Sequence, residues 1–223
     1  RKSTLFMNLQ VVVIAHGNGI AAFNRHEKFW EAHKAPILVV CPENDPVKCK
    51  HEVVKLYEAQ HSGPHALARL TALMEMLSQR PWDKCIIYEY DSFLLEPKIP
   101  EGKGFHSILF AEPHTRFLAP RYGNPPWCFD RHSFGCMIDK MRDYPSIEEE
   151  GFADRFFSAL AYLGGVPLLS FRPKGFSAGT ITTEHISQIR TLIYEGGYVF
   201  HGVKQAWVLN AIEQFWDEAH PTA

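Results

Sequence analysis

The sequence predicts an α/β protein: a single doubly wound domain around a central, mostly parallel sheet. In the first hundred residues, apolar runs and amphipathic stretches follow one another in the order strand, helix, strand, helix, strand. This order is typical of parallel strands joined by right-handed helical crossovers. The 223 residues can form one sizeable core, and no linker-like or low-complexity stretch divides them. We therefore expect one domain over residues 1–223, with its two halves meeting near residue 100.

The elements of the first half are apolar or amphipathic segments bounded by turn residues. The predicted strands are Asn8–Ala15, Ala35–Cys41 and Cys85–Tyr90. The predicted helices are a segment that follows Gly19 and ends near Ala32, then Lys48–Gln60 and Pro64–Gln79. The last of these helices places leucine and methionine side chains at three- and four-residue spacing, which gives it one apolar face.

The second half is less regular. Two of its helices end at a Gly-Gly pair that leads into a strand, and glycine just past a helix favours its termination. The predicted strands are Ser107–Ala111, Trp127–His132, Val166–Phe171 and Tyr198–Phe200. The predicted helices are Phe134–Arg142, Phe152–Leu163, Thr183–Tyr194 and Gln205–Ala219.

Composition excludes several classes of protein. The formal charge of −2 argues against non-specific binding of nucleic acid through a basic face. No apolar run approaches the roughly 18–20 residues of a membrane span, so no transmembrane segment is expected. The five cysteines include no Cys-x-x-Cys pair, which favours reduced thiols and a cytoplasmic protein. Hydrolase, P-loop and zincin motifs are not found in the sequence.

The most informative segment is the end of the third predicted strand. Glu89 and Asp91 follow an apolar run at a spacing of two residues, so both side chains point to the same side. Burial of unpaired carboxylates is costly, and ligands of α/β sheets bind at the carboxyl ends of the strands. The pair therefore suits a hard divalent cation with a phosphate ligand. The alternative is a strand that ends in a solvated acidic turn.

A second motif, His201-Gly202-Val203-Lys204, follows the last predicted strand. Histidine is a common metal ligand, glycine allows close approach of the backbone to a phosphate, and lysine supplies a positive charge. The alternative is a helix N-terminus with an incidental histidine.

Together, the Glu-x-Asp pair and the late His-Gly-x-Lys resemble the GT-A class of nucleotide-sugar-dependent glycosyltransferases. The resemblance covers the strand order of the first hundred residues and these two motifs. It implies a nucleotide-binding half (about 1–100), an acceptor-side half (about 101–223) and a Mn²⁺ or Mg²⁺ ion on the diphosphate. By this resemblance Asp91 and His201 are the metal ligands, and Lys204 contacts the diphosphate. Glu89 stands where the class usually has aspartate, and it would act through the ribose or a water.

The resemblance also implies residues that bind the nucleotide-sugar donor, for which UDP is the favoured nucleotide. The base would lie against the loop after the first strand, which contains Ala15, His16 and Asn18, and against Glu43 after the second strand. Arg69, near the start of the helix that precedes the acidic pair, would reach the diphosphate or the sugar. The alternative for Arg69 is a solvated helix residue paired with an acid.

Asp154 is the candidate catalytic base, because it resembles the acidic element that follows the acceptor region in inverting enzymes of this class. There a carboxylate deprotonates the hydroxyl of a glycan or another acceptor. The alternative is an acid in the first turn of a helix, where it interacts favourably with the helix dipole. Asp154 argues for inversion of the anomeric configuration, whereas the His-Gly-x-Lys motif leans toward retention, so both outcomes stay open.

Two other functions remain open. The turn Gly17-Asn18-Gly19 and the following Ile-Ala-Ala fit the Gly-x-Gly-x-x-Gly/Ala pattern of dinucleotide-binding folds, and Glu43 stands where a ribose-binding acid belongs. An NAD(P)-binding oxidoreductase is therefore the main alternative, although it leaves the acidic pair and the late motif without a role. The other is a catalytically degenerate domain that only binds a nucleotide-sugar.

Overall fold

The computed structural model describes residues 8–15, 19–43, 47–57, 64–111, 121–144, 153–171 and 174–221. The first half forms four strands and two helices. In chain order these are β1 (Leu9–Ile14), α1 (Ile20–Glu31), β2 (Ile37–Pro42), β3 (Glu52–Tyr57), α2 (Pro64–Ser78) and β4 (Lys84–Glu89).

The second half forms six strands and four helices among the described residues, together with a short 3₁₀ helix at Thr183–His185. The strands are β5 (Ser92–Leu94), β6 (Phe105–Ala111), β7 (Arg121–Asp130), β8 (Leu168–Ser170), β9 (Gly175–Ser177) and β10 (Val199–His201). The helices are α3 (Arg131–Asp143), α4 (Ala153–Leu163), α5 (Ile186–Tyr194) and α6 (Ala206–Ala219).

Seven strands form the central sheet, in the order β3-β2-β1-β4-β7-β6-β8. Strands β3, β2, β1 and β4 are parallel to one another, whereas β7 runs antiparallel to both β4 and β6. Strand β8 is parallel to β6. The predicted α/β class with a mostly parallel central sheet is therefore confirmed.

Helices cover both faces of this sheet, because the buried residues of its strands alternate between the faces. Val12 and Ile14 of β1 pack on the side of α2, α3 and α4. Val11 and Val13 pack on the opposite side with Phe23 of α1. This period of two explains why β1 reads as a continuous apolar run, as expected of a strand buried on both faces. The arrangement is compatible with a doubly wound domain.

The helix predicted over Lys48–Gln60 is wrong in the described residues, because Glu52–Tyr57 forms the edge strand β3. Its valines favour extended backbone, and Val53 and Val54 pair with Val39 and Val40 of the parallel strand β2. Within the described part of the chain β3 is paired along one edge, so exposed charged residues are tolerated in it. These charged residues are the reason the segment was predicted as a surface helix.

The strand predicted at Trp127–His132 has different bounds. Strand β7 ends at Asp130, and Arg131 and His132 already belong to α3. The reason is a helix cap, because the Asp130 side chain accepts hydrogen bonds from the backbone N–H groups of His132 and Ser133, both at 3.1 Å.

A second, three-stranded sheet in the order β5-β10-β9 lies beyond the end of β4. Strand β10 is antiparallel to β5 and parallel to β9, and its Phe200 packs with apolar residues of α5 and α6 in a third core cluster.

Within the described residues, no helix combines the length and apolar character that crossing a membrane requires. All five cysteines, each in a described segment, carry free thiols.

Candidate functional site

The two acids flank a tight turn between the two sheets. Glu89 is the last residue of β4, and Ser92 starts β5. The Glu89 N–H donates to Ser92 Oγ at 2.9 Å, and the Ser92 hydroxyl donates back to the Glu89 carbonyl at 3.0 Å. The Trp30 indole of α1 donates to the Ser92 carbonyl at 3.0 Å. The chain therefore leaves the central sheet at Tyr90 and Asp91 through a turn that hydrogen bonds from Ser92 and Trp30 hold in place.

Tyr90, between the two acids, is held on three sides. Its N–H donates to the Ile14 carbonyl at 3.0 Å, which keeps the turn beside the end of β1. Its carbonyl lies 2.9 Å from Nδ1 of His26, and burial lowers the pKa of His26 to about 4, so that the neutral ring donates this hydrogen bond. A Cβ on Gly19 would lie 2.5 Å from the Tyr90 ring, so Gly19 is needed for packing.

His201 reaches the acids because β10 pairs with β5. It is the last residue of β10, in register with Ser92 of β5 and Ser177 of β9. The N–H groups of Gly202 and Val203 then both donate to the Asp91 carbonyl at 3.1 Å. Gly202 has a φ of +91°, and a Cβ there would lie 1.9 Å from the Ala178 carbonyl oxygen. The glycine of the late motif is therefore required by the backbone itself.

Glu89, Asp91 and His201 form a cluster in which one potential ligand atom from each lies within 4.8 Å of the others. His201 Nε2 is 3.5 Å from Glu89 Oε2 and 3.7 Å from Asp91 Oδ1. Two ligands bound to one ion at about 2.1 Å lie at most about 4.2 Å apart, so each of these pairs can share a cation. Two carboxylates and an imidazole suit a divalent ion.

Asp91 supplies the strongest local indication of a ligand. Its side chain is only 3% exposed, and its Oδ1 atom is buried without a hydrogen-bond partner in the described part of the chain. Buried acceptors are nearly always satisfied, and an unsatisfied carboxylate oxygen is costlier than a neutral one. The donor set and this orphaned oxygen fit a bound divalent cation.

The charges of the cluster shift its pKa values in a consistent way. Burial raises the pKa of Asp91, the charge of Glu89 adds to this effect, and His201 and Lys204 oppose it. Burial alone would lower the pKa of His201, but the two carboxylates outweigh burial and raise it. Burial and the charges of Asp91 and Glu89 also raise the pKa of Tyr90 to about 12. The two carboxylates therefore favour a positive charge between them, which either the proton on His201 or a metal ion can supply.

A hydrogen-bond relay orients the His201 ring from its Nδ1 side, away from the two carboxylates. Its Nδ1 lies 2.8 Å from Ser177 Oγ, and that oxygen accepts a hydrogen bond from the Asn124 amide at 2.7 Å. When Nδ1–H donates to Ser177, the lone pair of Nε2 faces the two carboxylates. Partners of this kind fix the tautomer and the orientation of metal-binding histidines.

Lys204 adds a positive charge at the rim. Its Nζ lies 3.6 Å from Asp91 Oδ2 and donates to the Gly179 carbonyl at 2.8 Å. The Lys204 side chain is 41% exposed, so it can reach a ligand that enters from solvent. The Arg25 guanidinium donates to the Lys204 carbonyl at 2.6 Å and holds the backbone of the motif against α1.

Two of the residues predicted to bind the donor lie at the carboxyl ends of neighbouring strands. Ala15 follows β1, is buried, and donates its N–H to the Val40 carbonyl at 2.9 Å. Glu43 follows β2 and is exposed. His16 and Asn18 lie outside the described residues.

Arg69 and Asp154 belong to helices whose described residues pack on the face of the central sheet opposite α1. Arg69 lies in α2 and Asp154 is the second residue of α4. Both helices contribute to the core cluster on the face opposite α1. The side chains of Arg69 and Asp154 lie outside the described residues, so their roles stay predictions.

A cavity of about 620 Å³ has Ser177, the hydrogen-bond partner of His201, in its wall. Glu89, Asp91 and His201 themselves do not line it. It lies between β9 and α5, and its other walls include Phe176, His185, Gln188 and Thr191. The Thr182 N–H donates to Nδ1 of His185 at 3.0 Å, so the neutral His185 ring carries its hydrogen on Nε2 and can donate it. The walls thus offer hydroxyl, amide and imidazole groups beside an aromatic ring, and the volume suits a small ligand.

The sequence analysis missed Ser177 and Asn124. Both belong to the site only because β9 and β7 pair with distant strands, and neither lies in a recognisable motif. The sole local signal was the glycine-flanked Gly175–Ser177 segment, which is too short to predict as a strand.

Comparison with models of known protein families finds no match, and comparison with curated proteins finds no similar sequence either.

Proposed function

We propose that this chain is a metal-dependent glycosyltransferase of the GT-A type, which transfers a sugar from a nucleotide-sugar donor, with UDP favoured, to a hydroxyl acceptor. The observation that carries the proposal is the convergence of Glu89, Asp91 and His201, with Lys204 beside them, at the carboxyl end of a central parallel strand. Two motifs separated by more than a hundred residues meet where ligands of α/β sheets bind.

Each group at the site has a role in this proposal. Asp91 and His201 hold a Mn²⁺ or Mg²⁺ ion, which would neutralise the negative charge that develops on the leaving diphosphate. Glu89 lies close enough to His201 to complete the same ligand set or to bind through a water. Lys204 addresses the diphosphate directly as a point charge.

The cavity between β9 and α5 suits a hydroxyl-rich ligand, and it is linked to His201 through Ser177. Its hydroxyl, amide and imidazole groups, together with the Glu195 carboxylate, can hydrogen-bond to sugar hydroxyls, and the largely buried Phe176 contributes an apolar wall. Ser177 contacts both this cavity and His201, so a ligand in the cavity would lie one side chain away from the metal ligand. We assign the cavity to the acceptor or to the transferred sugar.

Thermal denaturation of the full chain with four ligand sets tests the proposal: UDP with Mn²⁺, UDP alone, Mn²⁺ alone, and NADH or NADPH. A ligand that binds only the folded state raises stability in proportion to ln(1 + [L]/Kd). We expect UDP with Mn²⁺ to raise the midpoint beyond the sum of the two separate shifts. Release of UDP from a panel of UDP-sugars in the presence of Mn²⁺ then tests turnover.

The same experiment separates the alternatives. Stabilisation by NADH or NADPH but not by UDP with Mn²⁺ would favour the oxidoreductase. Mn²⁺-dependent UDP binding without release of UDP from any donor, with acceptors present, would favour a domain that only binds the nucleotide-sugar.

A further inference from the structure

A second cluster of metal-ligating side chains lies apart from the site described above. Glu27 and Glu31 are one turn apart on α1 and point to the same face. His51, just before the edge strand β3, faces them. Its Nε2 is 2.9 Å from Glu27 Oε1 and 3.6 Å from Glu31 Oε1, and the three ligand atoms all lie within 4.8 Å of one another.

His51 is the residue that distinguishes this cluster from an ordinary acidic surface. Its side chain is 12% exposed, and its Nε2 atom is buried without a hydrogen bond in the described part of the chain, although a carboxylate oxygen is near. An imidazole nitrogen in that position is available as a ligand. Ligands of a tetrahedral ion with bonds of about 2.1 Å are about 3.4 Å apart, which lies between the two observed distances.

Lys50 forms ion pairs with both glutamates of this second cluster and neutralises part of their negative charge. Its Nζ is 2.6 Å from Glu31 Oε1 and 4.0 Å from Glu27 Oε2, and its side chain is 62% exposed. Exposed ion pairs of this kind contribute little to stability, so the flexible lysine can turn into solvent when a stronger cation binds.

We propose that Glu27, Glu31 and His51 form a structural binding site for a zinc-class divalent cation, which ties helix α1 to the start of edge strand β3. One imidazole and two carboxylates match the N/O ligands that Zn²⁺ accepts, with a fourth position for water. Among the described residues β3 lies at the edge of the sheet beside β2, so a cross-link to α1 restrains an edge strand. The proposal does not depend on the glycosyltransferase assignment.

Calorimetric titration of Zn²⁺ into the metal-stripped full chain tests this site. The titration is performed in the Asp91→Asn background, which weakens the first cluster, and is repeated in the otherwise native chain. We expect His51→Gln and Glu27→Gln each to weaken Zn²⁺ binding at least about tenfold, because each removes one of three protein ligands. His132→Gln, at an exposed histidine of α3, is the matched control and should bind Zn²⁺ as the parent does.

Lys50→Met separates a metal site from an ion-pair network. It removes the competing ammonium and should leave Zn²⁺ affinity unchanged or raise it up to about fivefold. The proposal is overturned if the parent binds no Zn²⁺, if His51→Gln and Glu27→Gln bind it as tightly as His132→Gln does, or if Lys50→Met weakens binding. Because the titration contains no nucleotide, its failure would leave the proposed function untouched.

Discussion

Replacing Asp91 with asparagine should change metal binding and metal-free stability in opposite directions. The carboxylate is buried, its Oδ1 has no hydrogen-bond partner among the described residues, and its pKa is raised by burial and by Glu89. An acid with a raised pKa binds its proton more tightly in the folded state than in the unfolded state. Its ionisation therefore lowers stability as the pH rises from its ordinary pKa through the raised value, and the cost persists at higher pH.

The direction of the Asp91 pKa shift sets the expected changes in stability and in ligand affinity for Asp91→Asn. Asparagine has nearly the same size and removes the buried charge, so we expect the metal-free variant to be about 0.5–1 kcal/mol more stable than the parent at pH 7.5, within the usual range of stability gained at functional sites. Loss of a charged ligand should weaken Mn²⁺-dependent UDP binding at least about 100-fold. At a ligand concentration of 100 times the parental Kd, ligand stabilises the parent by about 2.7 kcal/mol and the variant by only about 0.4 kcal/mol. The order of stability therefore reverses when ligand is added.

Urea denaturation at pH 7.5, with and without UDP and Mn²⁺, measures both effects. Asp139→Asn, at an exposed aspartate of α3, is the control for the loss of one negative charge. Glu89→Gln should behave as a weaker version of Asp91→Asn, because the Glu89 side chain is 25% exposed and its charge is better solvated. The reasoning is wrong if Asp91→Asn destabilises the metal-free protein, or if the variant retains parental Mn²⁺-dependent UDP affinity.

Three further substitutions test the late motif. His201 must lose its proton to bind metal, and its pKa is raised above 6.5, so the Mn²⁺ affinity of the parent should start to fall at a pH above 6.5 as the solution is acidified. Titrations from about pH 5.5 to 8.5 should show this fall, and His201→Ala should flatten it. Lys204→Ala should weaken UDP binding about tenfold even without metal, measured by calorimetry against Lys140→Ala, whereas equal affinities would assign Lys204 to its backbone contact alone. Gly202→Ala should lower the free energy of unfolding by about 2 kcal/mol or more, because Gly202 has a positive φ and a Cβ there would clash with Ala178. The control is Gly179→Ala, where a Cβ would enter open space, and it should change the free energy of unfolding by less than about 1 kcal/mol in the same urea assay.

The central part of the fold could be predicted from the sequence because its signals are local. The apolar runs of β1, β2 and β4 are buried on both faces, and the acids mark the end of β4, although Asp91 lies in the turn after the strand and not within it. The motif at His201 was also visible, because histidine, glycine and lysine stand together after a strand. Its glycine was expected to allow close approach of a phosphate, whereas the structure assigns it a backbone role in a left-handed turn.

Non-local pairing accounts for most of what the sequence did not predict. Strands β5 and β9 have three residues each and both pair with β10, so neither carries a periodic signal of its own. Strand β3 was misread because an edge strand with exposed Glu52 and Lys55 has the polarity of a surface helix. The relay from Asn124 through Ser177 to His201 joins three strands and could not be inferred from any one of them.

The backbone carbonyl of Asp91 holds the late motif in place, whereas its side chain belongs to the candidate metal cluster. This division explains how a buried carboxylate that lowers stability can persist in the fold. The Asp91 carbonyl accepts the N–H groups of Gly202 and Val203, so the late motif is fixed to the acidic turn by main-chain hydrogen bonds. His201 is further aligned by its pairing with Ser92 and Ser177. The geometry of the cluster therefore does not depend on attraction between its side chains, and the unfavourable ionisation of Asp91 is offset by the surrounding sheet and core. In the proposed function a divalent cation would meet ligands that are already in place, and its binding would offset the cost of the buried charge without having to order a loop.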